Sequence, residues 1–246
     1  MRILVIGEIC EDIFVYGDCN RLSPEAPVPV INPIETVHNN GMAGNVVNNI
    51  RAMESDAYVD HWHQSQRITK TRFVDKKSNH MFLRLDEGEE NVSPMNPTYY
   101  MMPELTKYDI VLVSDYDKGF LTHEFIKRIG TSSKLSILDS KKKLTKDIID
   151  AFTFVKLNEK EAKNNEDFKD CKNIITTLGS RGAMYDGSIY ASPSPKETID
   201  VSGAGDTFTA AFILEYYKTK NVGASIIYAN EMASIVVSKR GVATPN

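Results

Sequence analysis

Short apolar runs that end at a glycine or a carboxylate constrain the fold of this chain more than any other feature. Residues 3–6 precede Gly7, and the runs in 109–115 and 134–140 end at aspartates. Continuous aliphatic and β-branched runs of this length are typical of strands buried on both faces of a sheet. Because the later runs alternate with helical patterns, the sequence predicts an α/β fold with a mostly parallel central sheet flanked by helices.

The apolar periodicity also predicts the main helices. One helix follows "GMAGNVV" (41–47), and one begins at about Thr122. A strand and then a helix share residues 151–163. The last two helices are predicted at 204–218 and 223–238, since apolar residues recur there at helical spacing.

Two early segments break this alternation. Residues 12–38 carry prolines among alternating apolar residues, and residues 68–86 read as a hairpin with its turn near 77–79. Proline is tolerated at sheet edges rather than in central strands. We therefore expect these segments to form a small β lid within a single domain spanning residues 1–246.

Composition limits the partners. The net charge is −4, which gives no general attraction to nucleic acid or to anionic membranes. Cys10, Cys19 and Cys171 lack the paired spacing of a zinc site or a disulfide framework. No run has the length of a signal peptide or a membrane span. The expected protein is cytoplasmic, with reduced thiols and a small-molecule ligand.

Several polar residues and glycines directly follow predicted strands, namely Gly7, Asp115, Asp139, Asn158 and Gly179. In parallel sheets the carboxyl ends of the strands meet at one edge, where ligands bind. These residues are therefore predicted to line one rim of the sheet.

The stretch "DVSGAGDTFTAAF" (200–212) carries the strongest chemical signal. Gly203, Ala204 and Gly205 would leave unhindered N–H groups at the start of a helix, where an anion fits. Asp206 has two interpretations: it caps the helix, or it takes a proton from a hydroxyl group that attacks a phosphate, as aspartates do in kinases.

Two further motifs are ambiguous in isolation. In "TTLGSRG" (176–182), two glycines after a strand either let the backbone approach a nucleotide or form an ordinary turn. Asn158 and Glu161 would share one helical face, where their oxygens suit Mg²⁺ held mostly through water. The alternative is an exposed, charged helix start.

Taken in order, these motifs resemble those of the ribokinase/PfkB carbohydrate kinase family. "DVSGAGDTF" is similar to the C-terminal signature of the family, and "GMAGNVVNN" to its N-terminal signature. The stretches "RLSPEAPVPV", "ITKTRFV", "LRLDEGEE" and "VLVSDYDKG" are similar to the D-glycero-D-manno-heptose 7-phosphate kinase branch, the kinase half of a bifunctional enzyme of ADP-heptose synthesis.

The resemblance implies a ribokinase-like fold that uses ATP, Mg²⁺ and, in some members, K⁺. Asp206 would be the catalytic base, with Gly203, Ala204 and Gly205 as the anion hole. The remaining implied roles fall into three groups. The nucleotide side would comprise Asn158, Glu161, Thr177, Gly179, Gly182 and Asn230; the sugar side Asp12, Gly41, Asn45 and Lys118; and the metal sites Glu161 for Mg²⁺ through water, with Asp200 and Ser202 for a monovalent cation.

The sequence departs from the family pattern at three places, and two of them, Met42 and the shortened segment after Ile50, are near the sugar side. Met42 replaces a glycine, "LDSKKK" replaces an Asp-Pro-Lys-Gly turn, and the segment between Ile50 and Ile68 is shorter by about one strand and helix. Lys141, Lys142 and Lys143 are expected in a solvated turn, with phosphate binding as the alternative. His61 and His63 are expected on a surface strand rather than at a metal.

The implied function is ATP-dependent phosphorylation of a sugar hydroxyl, with heptose 7-phosphate as the first candidate acceptor and the 1,7-bisphosphate as product. A kinase for another small sugar and a non-catalytic sugar- or nucleotide-binding relative are the alternatives. The lid segments predict a homodimer, because exposed strands tend to pair with a second copy.

Overall fold

The computed structural model describes residues 1–96, 102–168, 171–193, 200–239 and 241–245. The strands are β1 (Arg2–Gly7), β2 (Ile9–Leu22), β3 (Pro29–Met42), β4 (Tyr58–Trp62), β5 (Thr69–Asp75), β6 (Met81–Glu87), β7 (Ile110–Asp115), β8 (Ser136–Ser140), β9 (Phe154–Asn158), β10 (Ile174–Thr177), β11 (Ala183–Tyr185) and β12 (Ser188–Tyr190). The helices are α1 (Ala43–Met53), α2 (His123–Ser132), α3 (Lys146–Ile149), α4 (Glu159–Asn164), α5 (Ala204–Thr219) and α6 (Val222–Val236).

The large sheet is mostly parallel, as predicted. Within the described ranges it has eight strands in the order β12-β11-β10-β9-β8-β7-β1-β4. Neighbouring strands pair in parallel in the part of the sheet formed by β4, β1, β7, β8, β9 and β10. At the other end, β11 pairs antiparallel with β10 and with β12. Because parallel strands share one direction, the ends of β1, β7, β8 and β9 lie along one rim.

Helices cover both faces of this sheet and divide its core in two. Ile3 and Val5 of β1 pack toward α1, α5 and α6. Leu4 and Ile6 pack toward α2 and α3 on the other face. This alternation follows from the two-residue period of a strand, and burial on both faces explains why each strand reads as a continuous apolar run.

A small sheet in the order β3-β2-β5-β6 forms the predicted lid, and its four strands all lie in the described part of the chain. The long hairpin β2–β3 contains the proline-rich segment, and β3 is an edge strand, where proline is tolerated. The second hairpin, β5–β6, turns near Ser78 and Asn79, as predicted.

The two faces of the lid differ in chemistry. Asp12 pairs with Lys70, and Arg72 with Arg84, so the alternation of side chains puts these charged residues on one face. The opposite face is largely apolar and contains Ile13, Val15, Phe73, Leu83 and Leu85. The charged face lines a cavity against the large sheet.

The shortened segment still contains a strand. β4 pairs in parallel with β1 and is the last strand at its end of the sheet. The buried side chain of Gln64 then accepts a hydrogen bond from the Ile9 N–H (3.0 Å) and donates one to the Ile9 carbonyl (2.7 Å). The segment that connects β4 to the lid is therefore hydrogen-bonded, through Gln64, to the first residue of β2.

Among the described residues, no helix combines the length and the apolarity needed to cross a membrane. The three cysteines are unpaired with one another, and Cys10 is buried.

Candidate active site

Asp206 lies buried in the first turn of α5, between the lid and the large sheet. Its Oδ1 accepts a hydrogen bond from the Tyr116 hydroxyl (2.7 Å), and its Oδ2 accepts one from the Asn45 side-chain amide (2.9 Å). The N-cap of α5 is Gly203, which has a φ of 80° and makes no side-chain capping bond. The capping interpretation of Asp206 is therefore wrong, because its carboxylate bonds to side chains of other elements.

Burial changes the acidity of this group. Removal from water disfavours the carboxylate and raises the pKa of Asp206 to about 6, against the lowering effect of the bonds from Asn45 and Tyr116. A carboxylate with a pKa near neutrality can accept a proton and release it again at physiological pH. The structure therefore gives Asp206 the acidity expected of a general base.

The start of α5 presents backbone donors beside this carboxylate. Among the described residues, none accepts a hydrogen bond from the amides of Gly205 and Asp206. The first-turn amides of a helix have no partners within the helix, and they attract anions. The predicted anion hole thus has free donors.

A buried cation reinforces this site. The Lys156 ammonium bonds both oxygens of Asp139 (3.1 and 2.9 Å), and a Cβ on Gly205 would lie 3.2 Å from it. Burial opposes the charged form, but Asp139 and Glu161 outweigh it and hold the pKa of Lys156 above its usual value. Lys156 was not among the predicted site residues, although its position two residues before Asn158 was a usable signal.

Asn45 lies behind Asp206 rather than in the sugar-side cavity. It is 1% exposed, its Oδ1 accepts from Asn49 (3.0 Å), and Asn49 in turn accepts from the Thr207 hydroxyl (2.8 Å). The expectation that Asn45 contacts the sugar therefore finds no support in its burial. Its amide fixes one oxygen of Asp206 instead.

The cavity between the lid and α5, here called the lid cavity, has a volume of about 230 Å³. Gly203 and Asp206 line it from α5. The other described lining residues come mainly from the lid and the loops after β7 and β8: Cys10, Asp12, Gly41, Met42, Lys70, Arg72, Arg84, Tyr116, Lys118, Lys141, Ser202 and Val242. The structure thus brings the predicted sugar-side residues Asp12, Gly41 and Lys118 together with Asp206.

Gly41 is needed for the position of Asp12. A Cβ on Gly41 would lie only 2.0 Å from Asp12 Oδ2 and 2.5 Å from Cys10 Sγ. Asp12 is ion-paired with Arg72 across the lid strands. The glycine therefore lets a buried carboxylate approach the end of β3.

A second and larger cavity, here called the loop cavity, has a volume of about 790 Å³ on the other side of the α5 start. The predicted nucleotide-side residues Asn158, Thr177, Gly179, Gly182 and Asn230 line it, together with Ala204 and Gly205. The start of α5 is thus exposed to both cavities. This is the arrangement that transfer of a group between two bound molecules requires.

The two glycines of the loop cavity differ. Gly179 has a φ of 59°, and a Cβ there would meet nothing within 4 Å. Gly182 has a φ of 95°, and a Cβ there would lie 2.1 Å from the Tyr190 carbonyl oxygen. Gly179 is therefore open to a ligand. Gly182 must be glycine because the backbone at the end of β12 packs directly against it, a contact that the sequence did not predict.

Asn158 and Glu161 form a reciprocal capping box at the start of α4. Asn158 Oδ1 accepts from the Glu161 N–H (2.9 Å), and Glu161 Oε2 accepts from the Asn158 N–H (2.7 Å). Glu161 is buried, and burial raises its pKa. The alternative of an exposed, charged helix start is wrong for Glu161, which lies beside the loop cavity without lining it.

Asp200 and Ser202, the residues expected to bind a monovalent cation, both lie in the loop just before α5. Asp200 accepts hydrogen bonds from the Ser202 N–H (2.8 Å) and the Gly241 N–H (3.2 Å). Ser202 lines the lid cavity. The Asp200 carboxylate thus connects the segment at Gly241 to the loop before α5 by hydrogen bonds.

The lysines after β8 have different environments. Lys142 is buried and ion-paired with Asp115 and Asp117, so the expected solvated turn is wrong for this residue. Lys141 lines the lid cavity with its ammonium group 3.7 Å from the centre of the Tyr116 ring. Lys143 is exposed.

His61 lies on β4, the predicted surface strand, and is half-buried. Burial is the main reason that its pKa falls to about 4, and His63 lowers it further. In the described ranges, no group of three His, Cys, Asp or Glu side chains could hold a metal ion.

Comparison with known proteins gives one family. The family model described as pfkB family carbohydrate kinase matches residues 56–246. The bifunctional protein HldE of a Nitratiruptor species is 32% identical over 291 residues, covering 99% of this chain but only 63% of that protein.

Solved structures show the same fold. Ribokinase from Thermotoga maritima has a TM-score of 0.74 at 18% identity, over 98% of this chain and 94% of that one. Arabidopsis thaliana ribokinase, complexed with ribose and ATP, has a TM-score of 0.70 at 16% identity, over 98% and 93%. The predicted ribokinase-like fold is thereby confirmed.

Proposed function

Because this chain belongs to the pfkB family of carbohydrate kinases, we propose that it transfers the γ-phosphoryl group of ATP to a hydroxyl group of a sugar phosphate. Heptose 7-phosphate is the first candidate acceptor, with the anomeric hydroxyl as the nucleophile and a 1,7-bisphosphate as the product. The HldE relative supports this choice by its similarity over nearly the whole of this chain.

The charge of the lid cavity is the observation that carries the proposal of an anionic acceptor. Of the described lining residues, five are cationic (Lys70, Arg72, Arg84, Lys118 and Lys141) and two are acidic (Asp12 and Asp206). The chain as a whole has a net charge of −4. Cationic side chains that line a cavity attract anionic substrates locally, even where the protein as a whole is acidic.

The reaction follows from the position of Asp206 between the two cavities. A sugar hydroxyl in the lid cavity loses its proton to Asp206 while its oxygen bonds to the γ-phosphorus of ATP in the loop cavity. The bond from that phosphorus to the bridging oxygen breaks, and ADP leaves. The amides of Gly205 and Asp206, with the Lys156 ammonium nearby, stabilise the charge on the transferring group.

Magnesium would enter this site with the nucleotide. Glu161, which lies near Asp139 and Lys156, fits an ion held mostly by water and phosphate oxygens rather than by a protein cage. When bound, Mg²⁺ would neutralise charge on the β- and γ-phosphates. Asp200 and Ser202 remain the proposed site of K⁺.

An uncharged small sugar is the second candidate acceptor. The lid cations are already ion-paired: Lys70 and Lys118 with Glu89, Arg72 with Asp12, and Arg84 with Asp86. Met42 also lines the cavity, at a position where the family pattern has the smaller glycine. Both features favour a smaller acceptor without phosphate.

The test is a steady-state assay of sugars and their phosphates with ATP and Mg²⁺. We expect the sugar phosphates, heptose 7-phosphate first, to have the higher kcat/KM. Arg84→Met should raise KM for the sugar phosphate about tenfold or more, because a bond between two charged groups is lost, and leave KM for ATP unchanged.

Lys76→Met is the matched control, since it removes an exposed lid ion pair with Glu35 outside the cavity. A higher kcat/KM for the uncharged sugars would favour the second candidate. ATP binding without turnover of any acceptor would indicate a non-catalytic relative.

A further inference from the structure

We propose that Tyr116 is a positioning residue for Asp206, and that the buried carboxylate of Glu8 holds Tyr116 in place. Tyr116 follows β7 in "SDYDKG", and Glu8 follows β1. The inference rests on the proposed function, in which Asp206 is the base.

The first observation concerns the hydrogen bonds that orient the Asp206 carboxylate. Tyr116 donates to Oδ1 of Asp206, and Asn45 donates to Oδ2 from the opposite side. Each bond uses one lone pair of its oxygen and leaves another for a substrate hydroxyl. Two donors from separate elements fix the plane of the carboxylate, so the remaining lone pairs point in fixed directions.

The second step is the anchor of the Tyr116 backbone. Glu8 is 0% exposed, and its carboxylate accepts from the N–H groups of Tyr116 (2.9 Å), Lys118 (3.1 Å) and Phe120 (3.3 Å). Burial and the nearby Asp115 raise the pKa of Glu8, whereas the bonds from the Tyr116 and Lys118 N–H groups favour its ionised form. The turn from 116 to 120 is thus tied to the end of β1.

The third step is the position of the ring. Tyr116 packs against the apolar cluster of Cys10, Met42 and Ile68, and the Lys141 ammonium lies 3.7 Å from the centre of its ring. A cation over an aromatic ring is attracted to the negative face of the ring. Contacts to the backbone N–H, the ring face and the hydroxyl group therefore fix the position of Tyr116.

These contacts predict a change in the pH profile. Three charged groups at the ends of β8 and β9 face Asp206, namely Asp139, Lys141 and Lys156. Asn45 and Tyr116 donate hydrogen bonds to it, and Cys10 lies near Tyr116. A donor to the ionised form lowers the pKa of a carboxyl group. Loss of the Tyr116 hydroxyl should therefore raise the pKa of Asp206 and move the acid limb of activity to higher pH.

The experiment compares kcat against pH for wild type and Tyr116→Phe. We expect the acid limb to move upward by about one unit, with kcat recovering at high pH to within about tenfold of wild type, since the base and its other donor remain. Tyr108→Phe is the matched control. It removes a hydroxyl bonded to Asp60 (2.5 Å), outside both cavities, and should leave the profile unchanged.

Glu8 is tested in the same assay. Glu8→Gln should shift the limb in the same direction, and Glu8→Asp should restore part of the wild-type profile because it keeps the charge. In the Tyr116→Phe background, Glu8→Gln should cause little further shift. If Tyr116→Phe does not fold, which thermal melting detects, the two Glu8 variants carry the test.

The outcomes separate the two proposals. An unshifted limb in Tyr116→Phe, in an enzyme that Asp206→Asn inactivates, would overturn the positioning role and leave the proposed function standing. Full activity of Asp206→Asn would overturn the proposed function itself. Equal limb shifts from Glu8→Gln in both backgrounds would show that Glu8 does not act through Tyr116.

Discussion

At the scale of single residues, Asp206 is the proposed catalytic base, and its burial disfavours the charged form of its carboxyl group. It is buried at the junction of two cavities, and its pKa is about 6. Asp206→Asn keeps the shape but cannot accept the hydroxyl proton, so kcat should fall by ~10²- to 10⁴-fold. ATP affinity should stay close to wild type. Calorimetric titration with ATP beside the kinase assay measures both, and a variant retaining about a third or more of wild-type kcat would contradict the assignment.

The same substitution makes a prediction about stability. Because folding raises the pKa of Asp206 from 3.8 to about 6, its contribution to stability is complete below pH 3.8 and lost as the pH rises through 6. Asp206→Asn has no such loss. Between pH 4 and pH 7, the free energy of unfolding of the variant should gain on that of wild type by on the order of 2–3 kcal/mol. Urea unfolding at the two pH values checks this, and parallel pH dependences would mean that the carboxyl titrates normally.

At the scale of elements, the start of α5 depends on Gly203. Gly203 has a φ of 80°, and a Cβ there would lie 2.6 Å from the Asn45 amide nitrogen that binds Asp206. Gly203→Ala should destabilise the fold by about 1–2 kcal/mol through backbone strain and should also lower kcat, because Asn45 is displaced. Gly187→Ala is the matched control: its φ is 74°, but its Cβ would meet nothing within 4 Å. Equal kcat values for the two variants, at similar losses of stability, would show that the Asn45 contact has no effect on catalysis.

The elements themselves were largely predictable from the sequence, because their causes are local. The run at 109–115 became β7, and Thr122 caps α2 by accepting from the Phe125 N–H. The grip of Tyr116 and Asn45 on Asp206 was not predictable, since these partners lie 90 and 161 residues away in sequence. The burial of Lys142 was not predictable either. In the sequence it is one of three consecutive lysines, and only the fold brings it to Asp115 and Asp117. The motifs indicated many of the residues that line the two cavities, but only the tertiary contacts show which side chains bond to Asp206 and Lys142.

At the scale of the whole molecule, the two faces of the lid differ in chemistry and in exposure. Its charged face lines the cavity beside Asp206, and its other face carries Leu83 and Leu85, which are 58% and 45% exposed. Alternation along β5 and β6 produces this division, so a one-residue slip in register would exchange the faces. An exposed apolar sheet face with two open edges favours pairing with another chain.

We therefore expect the protein to form a homodimer through the apolar face of the lid. Leu83→Glu should convert the dimer to a monomer, because the introduced carboxylate would lose water on burial without a partner. Ile189→Glu is the control, since Ile189 is similarly exposed at 60% but lies on β12 at the far end of the large sheet. Sedimentation velocity at micromolar concentration measures the result. A monomeric wild type would contradict the prediction, as would a dimer that Ile189→Glu disrupts and Leu83→Glu does not. Since the same strands carry Arg72 and Arg84 into the lid cavity, loss of the dimer should also raise KM for the sugar acceptor while KM for ATP stays unchanged.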